Sequence, residues 1–359
     1  MKILHLIYDH INNPWVGGGG AVRVYEIYKR LAQKGYDITV VSGSYPGARD
    51  YEENGVKFKF TSSKRSYVIS VFSYVFCAIK FLRNHAKEFD IIVEDFAPWN
   101  PLFAKLFHKR TVLQIHHKEG FNILKKYFLA GLPFYFIEKF YPKIYSHVIA
   151  VSEKTRDKFK LKARVIPNGI RENLLFKEIR IGDYIAFIGR IDIYNKGLDL
   201  LLDACKTLNI KLKIAGKGKD IKKLLYLIEK FNLTNRVSHS GFLSENDKIS
   251  FIANSKFLIM PSRFEGQGIV ALESAAMGKP VIVSDIPELK YVTENGFGIS
   301  FRSGDSNSLK EAIESLYSNE SLILQMGEKG REYAKQFTWD RIAEEYENYL
   351  LKIADLVYV

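Results

Sequence analysis

Cysteine is nearly absent: of 359 residues only Cys77 and Cys205 carry a thiol, and they stand far apart in the chain. That excludes a disulfide framework and a cysteine-based metal cluster, and it fits a reducing compartment. Low-complexity, repetitive and long polar tracts are also missing, so disorder is expected only in short loops. Long apolar runs are scarce. The most apolar stretch, Tyr67 to Ile79, has 13 residues and falls short of the ~20 that a membrane-crossing helix needs, so no transmembrane span is expected. The opening run Met1-Lys2-Ile3-Leu4-His5-Leu6-Ile7-Tyr8 alternates like a strand and is too short and wrongly flanked for a signal peptide. A cytoplasmic location is the expectation.

What is present is an ordinary globular composition, 47% hydrophobic and 26% charged, in a chain long enough for two domains of roughly 150 to 200 residues. The formal net charge is +13, and all of it lies in the first half. Residues 1–165 carry 27 Lys and Arg against 14 Asp and Glu, whereas residues 166–359 carry 26 against 26. A one-sided basic surface favours a polyanionic partner: nucleic acid, an anionic membrane face or a phosphorylated acceptor. Nucleic acid explains neither the neutral second half nor its paired acids, and no RNA- or DNA-binding motif is found.

Short β-branched or aliphatic runs recur between helical stretches, from Lys2–Tyr8 to Arg164–Ile166 and again from Tyr184–Ile188 to Gly298–Phe301. Strands alternating with helices predict parallel sheets covered on both faces, hence an α/β protein of two doubly wound, Rossmann-like lobes facing across a cleft. Ile166-Pro167-Asn168-Gly169-Ile170 breaks regular structure and marks the hinge. The expected division is residues 1–168, residues 169–338 and a closing amphipathic helix at 339–359 that returns to the first lobe. Open parallel sheets bind ligands beyond the carboxyl ends of their strands, so chemistry is sought in the strand-to-helix loops.

Five such loops carry suitable residues. Gly17 to Gly20 follow the first strand and precede a helix expected from about Ala21, where free amides attract phosphate. The strand Val112–Ile115 runs into His116 and His117, of which His116 is placed to hydrogen-bond a substrate; adjacent strand residues point apart, which is poor geometry for zinc. Gly189-Arg190 follows another strand, and Lys196-Gly197 opens a helix expected at Leu198–Leu208. Arg190 and Lys196 are thus set to meet a diphosphate at a helix N-terminus. Gly216 lies in a further turn that exposes backbone. After Phe257–Met260 comes Pro261-Ser262-Arg263-Phe264-Glu265-Gly266-Gln267-Gly268-Ile269, with Glu273 on the next helix. Two carboxylates there can grip hydroxyl pairs at the two ends of one ligand, with backbone amides from Gly266 to Ile269 between them.

These residues resemble glycosyltransferase family 4. The likeness is most specific in Gly189-Arg190 with Lys196-Gly197 and in Glu265 with seven residues between it and Glu273; Gly19-Gly20 followed by Gly35-Tyr36-Asp37-Ile38, Ile166-Pro167-Asn168-Gly169 and Phe337-Thr338-Trp339 add to it. The resemblance implies the GT-B fold and a retaining transferase that uses a nucleotide diphosphate sugar without a metal. It further implies that Arg190 and Lys196 bind donor phosphates, Glu273 the ribose hydroxyls and Glu265 the transferred sugar. Gly19, Gly20, Gly189, Gly216 and the segment Gly266, Gln267, Gly268, Ile269 would complete the donor site, with His116 near the reacting sugar and His117 on the acceptor side. The acceptor expected is a lipid-linked or other glycan in cell-surface polysaccharide or glycoconjugate synthesis. Aromatic-basic segments in the first half, among them Tyr127 to Phe136, lead us to expect peripheral contact with an anionic membrane on its cytosolic face. A soluble acceptor, a sugar-nucleotide epimerase and a non-enzymatic sugar-nucleotide sensor are the alternatives.

Overall fold

The computed structural model describes residues 1–355, with every side chain except that of Lys126. The chain divides into two compact units: unit 1 comprises residues 1–168 and the chain from Trp339 onward, and unit 2 comprises residues 169–338. Of the closing segment expected at 339–359, residues 356–359 lie outside the described residues.

Unit 1 is built on an eight-stranded sheet: β1 (Lys2–Ile7), β2 (Asp37–Gly43), β3 (Tyr51–Glu53), β4 (Val56–Thr61), β5 (Ile91–Asp95), β6 (Thr111–Ile115), β7 (His147–Ala150) and β8 (Arg164–Val165). Their order is β3-β4-β2-β1-β5-β6-β7-β8, and all pairs are parallel except β3 with β4. The helices are α1 (Gly19–Gln33), α2 (Tyr67–His85), α3 (Asn122–Tyr127), α4 (Leu132–Phe140) and α5 (Glu153–Phe159). Because both faces of a parallel sheet are covered, its strands read as continuous apolar runs. Ile3, Val40, Ile91, Val93 and Val112 form one face of the sheet and pack with Val24, Ile27 and Leu31 of α1. Leu4, Leu6, Val41 and Ile92 form the other and receive Val71, Tyr74, Ala78 and Leu82 of α2.

Unit 2 repeats the plan with six parallel strands, β9 (Tyr184–Ile188), β10 (Leu212–Ala215), β11 (Val237–His239), β12 (Ser255–Met260), β13 (Val281–Ser284) and β14 (Gly298–Phe301), in the order β11-β10-β9-β12-β13-β14. Its helices are α6 (Leu198–Cys205), α7 (Ile221–Lys230), α8 (Glu245–Ala253), α9 (Ile269–Ala276), α10 (Lys290–Glu294), α11 (Ser306–Tyr317) and α12 (Glu320–Ala334). The last helix, α13 (Trp339–Asp355), packs Ile342, Tyr346 and Leu350 beside α1 in unit 1, and Tyr36 donates a 2.8 Å hydrogen bond to its Glu347.

Three features depart from the sequence reading. β3 was not foreseen; it forms an antiparallel hairpin with β4 through Asn54-Gly55, both with left-handed backbone (φ 49° and 76°), the geometry such a two-residue turn requires. Gly19 and Gly20 already belong to the first turn of α1, and none of Gly17 to Gly20 needs a left-handed φ. The apolar run of 13 residues lies within a helix of 19, α2, because Lys80 and Arg83 interrupt the run but not the helix. Together with the turn that ends at Glu88 it is, among the described residues, the one helix long and apolar enough by length and composition to cross a membrane. Length and composition alone make no membrane span of it: here one side of α2 is seated on the sheet and the Tyr74 hydroxyl donates to the Val41 carbonyl at 2.9 Å.

Candidate active site

In unit 2 the strand order reverses between β9 and β12, and the loops after these two strands meet. Lys196 Nζ from the β9 loop is ion-paired with Glu265 Oε1 from the β12 loop, and Ser262 Oγ donates to the same oxygen at 3.0 Å. Neighbouring contacts brace the two loops. Arg263 forms a fork on Asp199 of α6 with both nitrogens at 2.8 Å, and the Arg263 amide donates to the Asn195 carbonyl at 2.9 Å. Gly197, at φ 65°, sits so close to β12 that a Cβ there would lie 1.9 Å from the Pro261 carbonyl oxygen. Gly216, at φ 137°, abuts the Gly189 carbonyl, which a Cβ would approach to 1.8 Å. These two glycines are what allow three loops to converge.

The N-termini of α6 and α9 point out of this junction with no side-chain cap, so their first amides have no side-chain acceptor from the cap position. Gly268 (φ 76°) precedes α9, and the Tyr291 hydroxyl donates to the Gln267 carbonyl at 2.8 Å, fixing the Gly266-Gln267-Gly268-Ile269 turn. Glu273, on the second turn of α9 and buried, receives Lys248 Nζ from α8 at 2.7 Å. Burial alone lowers the pKa of that ammonium, but the Glu273 and Glu245 carboxylates outweigh it and hold Lys248 above its usual range. Arg190 is exposed at the start of the β9 loop and makes no ion pair among the described residues. The structure therefore brings Lys196 and Glu265 together, ties Glu273 to a lysine that the sequence reading did not single out, and leaves Arg190 at the surface.

In unit 1 the reversal falls between β1 and β5. His116, just past β6, donates from Nε2 to Asp95 Oδ1 at 3.0 Å, a carboxylate that the Gln114 amide also meets at 2.6 Å. With Nε2 protonated, a neutral His116 has its lone pair on Nδ1. His5 Nε2 lies 3.4 Å from the other Asp95 oxygen, and its Nδ1 is 2.8 Å from the Tyr28 hydroxyl. Burial would raise the Asp95 pKa, yet the two imidazoles reverse the shift and keep it below the usual carboxylate range. Gly20 faces this ring: a Cβ there would stand 3.5 Å from both Cε1 and Nε2 of His116. Arg23, fully buried, reaches from α1 to the Gln114 side chain at 3.2 Å and to the Pro167 carbonyl at 2.5 Å. His117 turns outward and is 3.5 Å from Glu119.

Two further buried groups in unit 1 are structural. Glu94, beside Asp95 but on the opposite side of β5, accepts the amides of Leu102 and Ala104 and the hydroxyls of Tyr141 and Tyr145, at 2.6 to 3.1 Å. Burial keeps its pKa raised even so. His10 is enclosed by Tyr45, Tyr51, Phe58 and Phe60, and burial lowers its pKa to about 4.

Residues 17–174 match the family described as Glycosyltransferase Family 4, and residues 175–333 match that described as Glycosyl transferases group 1. An uncharacterized glycosyltransferase of Methanocaldococcus jannaschii is 30% identical over 356 residues, which cover 95% of this chain and 96% of that one. The chain belongs to glycosyltransferase family 4. This glycosyltransferase is also 24% identical to the N-acetylgalactosamine-N,N'-diacetylbacillosaminyl-diphospho-undecaprenol 4-alpha-N-acetylgalactosaminyltransferase of Campylobacter jejuni, over 94% of this chain and 97% of that one. Among solved structures, sucrose-phosphate synthase from Thermosynechococcus elongatus superposes with a TM-score of 0.86 at 19% identity, covering 98% of this chain and 99% of that one. That likeness shows the fold of the glycosyltransferase: two Rossmann-like units of the GT-B type. Its residues Asp95 and Lys248 escaped the sequence reading because their partners stand 21 and 25 positions away, and only the fold brings them together. The one signal available was Glu94-Asp95, an acidic pair at the carboxyl end of an otherwise apolar strand.

Proposed function

We propose that this glycosyltransferase is a retaining, metal-independent hexosyltransferase that takes a nucleotide diphosphate sugar in unit 2. The observation that carries the donor site is the Lys196–Glu265 pair at the point where the β9 and β12 loops meet beside two uncapped helix N-termini. A diphosphate at this point competes with Glu265 for the Lys196 ammonium. Once Lys196 turns to phosphate, Glu265 accepts hydrogen bonds from the hydroxyls of the transferred sugar, and Arg190 adds a second positive charge. Gly189, Gly216 and the Gln267, Gly268 and Ile269 segment line the place for pyrophosphate and sugar, and Glu273 accepts from the ribose hydroxyls. Gly19 and Gly20 offer the α1 amides to the donor phosphates in the same way.

The reaction is a displacement on one face of the sugar. The bond from the anomeric carbon to the β-phosphate oxygen breaks, the acceptor oxygen bonds to the same face, and its proton passes to a departing phosphate oxygen. Lys196 and Arg190 stabilise the charge that develops on that phosphate without a metal. His116, steadied by Asp95, offers its Nδ1 lone pair to a sugar hydroxyl, and His117 stands on the acceptor side.

The acceptor is a lipid-linked or other glycan in cell-surface polysaccharide or glycoconjugate synthesis, reached from the cytosolic face of the membrane. The name of the Campylobacter relative, which specifies a diphospho-undecaprenol-linked substrate, supports this reading. The test is thermal stabilisation of the full chain by a panel of UDP-, GDP- and ADP-sugars, repeated with Glu273→Ala. Stabilisation selective for one base and lost in the variant is expected; a silent panel overturns the donor site. Donor turnover without acceptor to an epimeric product points to an epimerase instead, and tight binding without any turnover to a sensor.

A further inference from the structure

One helix layer of unit 1 is dressed in apolar side chains that stand exposed among the described residues. On α2 the seated stripe is Val71, Tyr74, Ala78 and Leu82; half a turn away, Val68, Ile69, Phe72 and Phe76 face outward, Phe76 with 75% of its surface exposed. The segment containing α3 and α4 repeats this. Phe128 and Leu129 are each 80% exposed, and Phe136 and Phe140 stack on each other at the surface. Phe128 is held out by a left-handed backbone (φ 50°), a conformation that aromatic residues rarely adopt. Both segments lie over the same face of the sheet, because Val71 and Tyr74 pack on Leu4, Leu6 and Ile92 while Tyr141 and Tyr145 pack on Leu113 and Ile115. The outward residues of the two therefore belong to one layer. The opposite layer differs: the exposed positions of α13 before Leu351 are Asp340, Arg341, Glu344 and Asn348.

The charge around these apolar residues has one sign. From Ser62 to Phe89 there are five Lys and Arg against Glu88 alone, and from Phe96 to Ser146 there are eight against Glu119 and Glu138. Glu138 is buried and is occupied by the amides of Glu119 and Gly120 at 2.7 Å. Aromatic and aliphatic side chains among long basic ones suit an interface in which apolar groups enter the acyl boundary and ammonium groups meet anionic headgroups. A protein partner would favour a contiguous apolar patch with a depleted charge; here lysines interleave with the aromatics.

We propose that this layer of unit 1 is a docking surface for an anionic lipid bilayer, entered by Phe72 and Phe76 of α2 and by Phe128 and Leu129 between α3 and α4. The proposal deepens the reading of a lipid-linked acceptor and rests on it for its biological meaning. α3 begins six residues after His116, so docking brings lipid headgroups toward the loop that carries the histidine. A helix crossing the bilayer is not required, since the seated stripe of α2 stays on the sheet.

The test uses the full chain and vesicles of phosphatidylcholine with and without phosphatidylglycerol. Cosedimentation with the anionic vesicles is expected to exceed that with the neutral ones by roughly ten-fold at low salt and to fall as salt rises. Phe72→Ser with Phe76→Ser, and separately Phe128→Ser with Leu129→Ser, are each expected to weaken binding by about ten-fold or more, because exposed side chains are removed without touching the core. Stabilisation by the nucleotide sugar should be unchanged in both variants, which shows that they fold. A chain that ignores anionic vesicles, or variants that bind as well as the parent, overturns the proposal. So does self-association in sedimentation equilibrium that the same substitutions abolish, since a second copy then covers the layer. Vesicle binding with a silent sugar panel would leave the surface standing and overturn the donor site, and the reverse result would do the opposite.

Discussion

Units 1 and 2 share a plan, yet they hold their polar groups at the sheet reversal in different ways. In unit 2 the charges neutralise one another between neighbouring elements, Lys196 with Glu265 from loop to loop and Lys248 of α8 with Glu273 of α9. In unit 1 they are buried against the sheet: Arg23 of α1 donates to Gln114, Gln114 donates to Asp95, and His5 lies 3.4 Å from the other Asp95 oxygen. A pair on loops can exchange one partner for a ligand. A buried chain cannot give up a member without leaving its neighbours unsatisfied, so it serves to fix a direction, here that of the His116 ring.

Substitutions can break this contrast. The largest effect is expected from Lys196→Met: loss of a cation at the departing phosphate should lower turnover of the donor by about 10³-fold, or ~4 kcal/mol. Melting should shift little, because the lysine sits on a loop. A variant that keeps near-normal turnover would remove Lys196 from the chemistry.

Next comes a pH effect in unit 1. His10 titrates at about 4 in the folded chain against 6.5 when unfolded, so between those values the unfolded chain binds the extra proton. Its contribution is complete above about pH 6.5 and fades as pH falls toward 4, by about 3 kcal/mol over that window. Calorimetry of His10→Gln should therefore show a flatter loss of stability on acidification than the parent; parallel curves would mean that His10 is not held neutral.

Asp95→Asn removes the charge behind His116 while keeping an oxygen in place. We expect turnover to fall by roughly 10 to 100-fold, with a displaced pH profile and an unchanged affinity for donor, the mark of a residue that positions another. Equal losses in affinity and turnover would make its role merely structural. The smallest effect is expected from Lys248→Met, which leaves Glu273 in place but unpaired. Donor affinity should change by about ten-fold or less, measured by titration.

Much of the fold was legible in the residues. Parallel strands such as Tyr184–Ile188 and Val281–Ser284 stand out because both of their faces are buried, and the rhythm of strand and helix repeats in both units. β3 was not, because three residues carry no periodicity, although Asn54-Gly55 is itself a strong turn signal. Site residues in loops were legible as types at suitable positions. Their partners were not: the Lys196–Glu265 pair spans 69 positions, and the outward turn of Phe128 depends on a backbone angle that no pattern of apolar residues encodes.

The hairpin that escaped the sequence reading also governs how the chain behaves among its copies. β3 is short, carries Glu52 and Glu53, and occupies one margin of the eight-stranded sheet, while β8 at the other margin has two residues. Neither border presents enough unpaired backbone to recruit a strand from another molecule. The long parallel sheet between them, slow to assemble and rich in Val and Ile, is thus shielded from growth into fibrils at both ends.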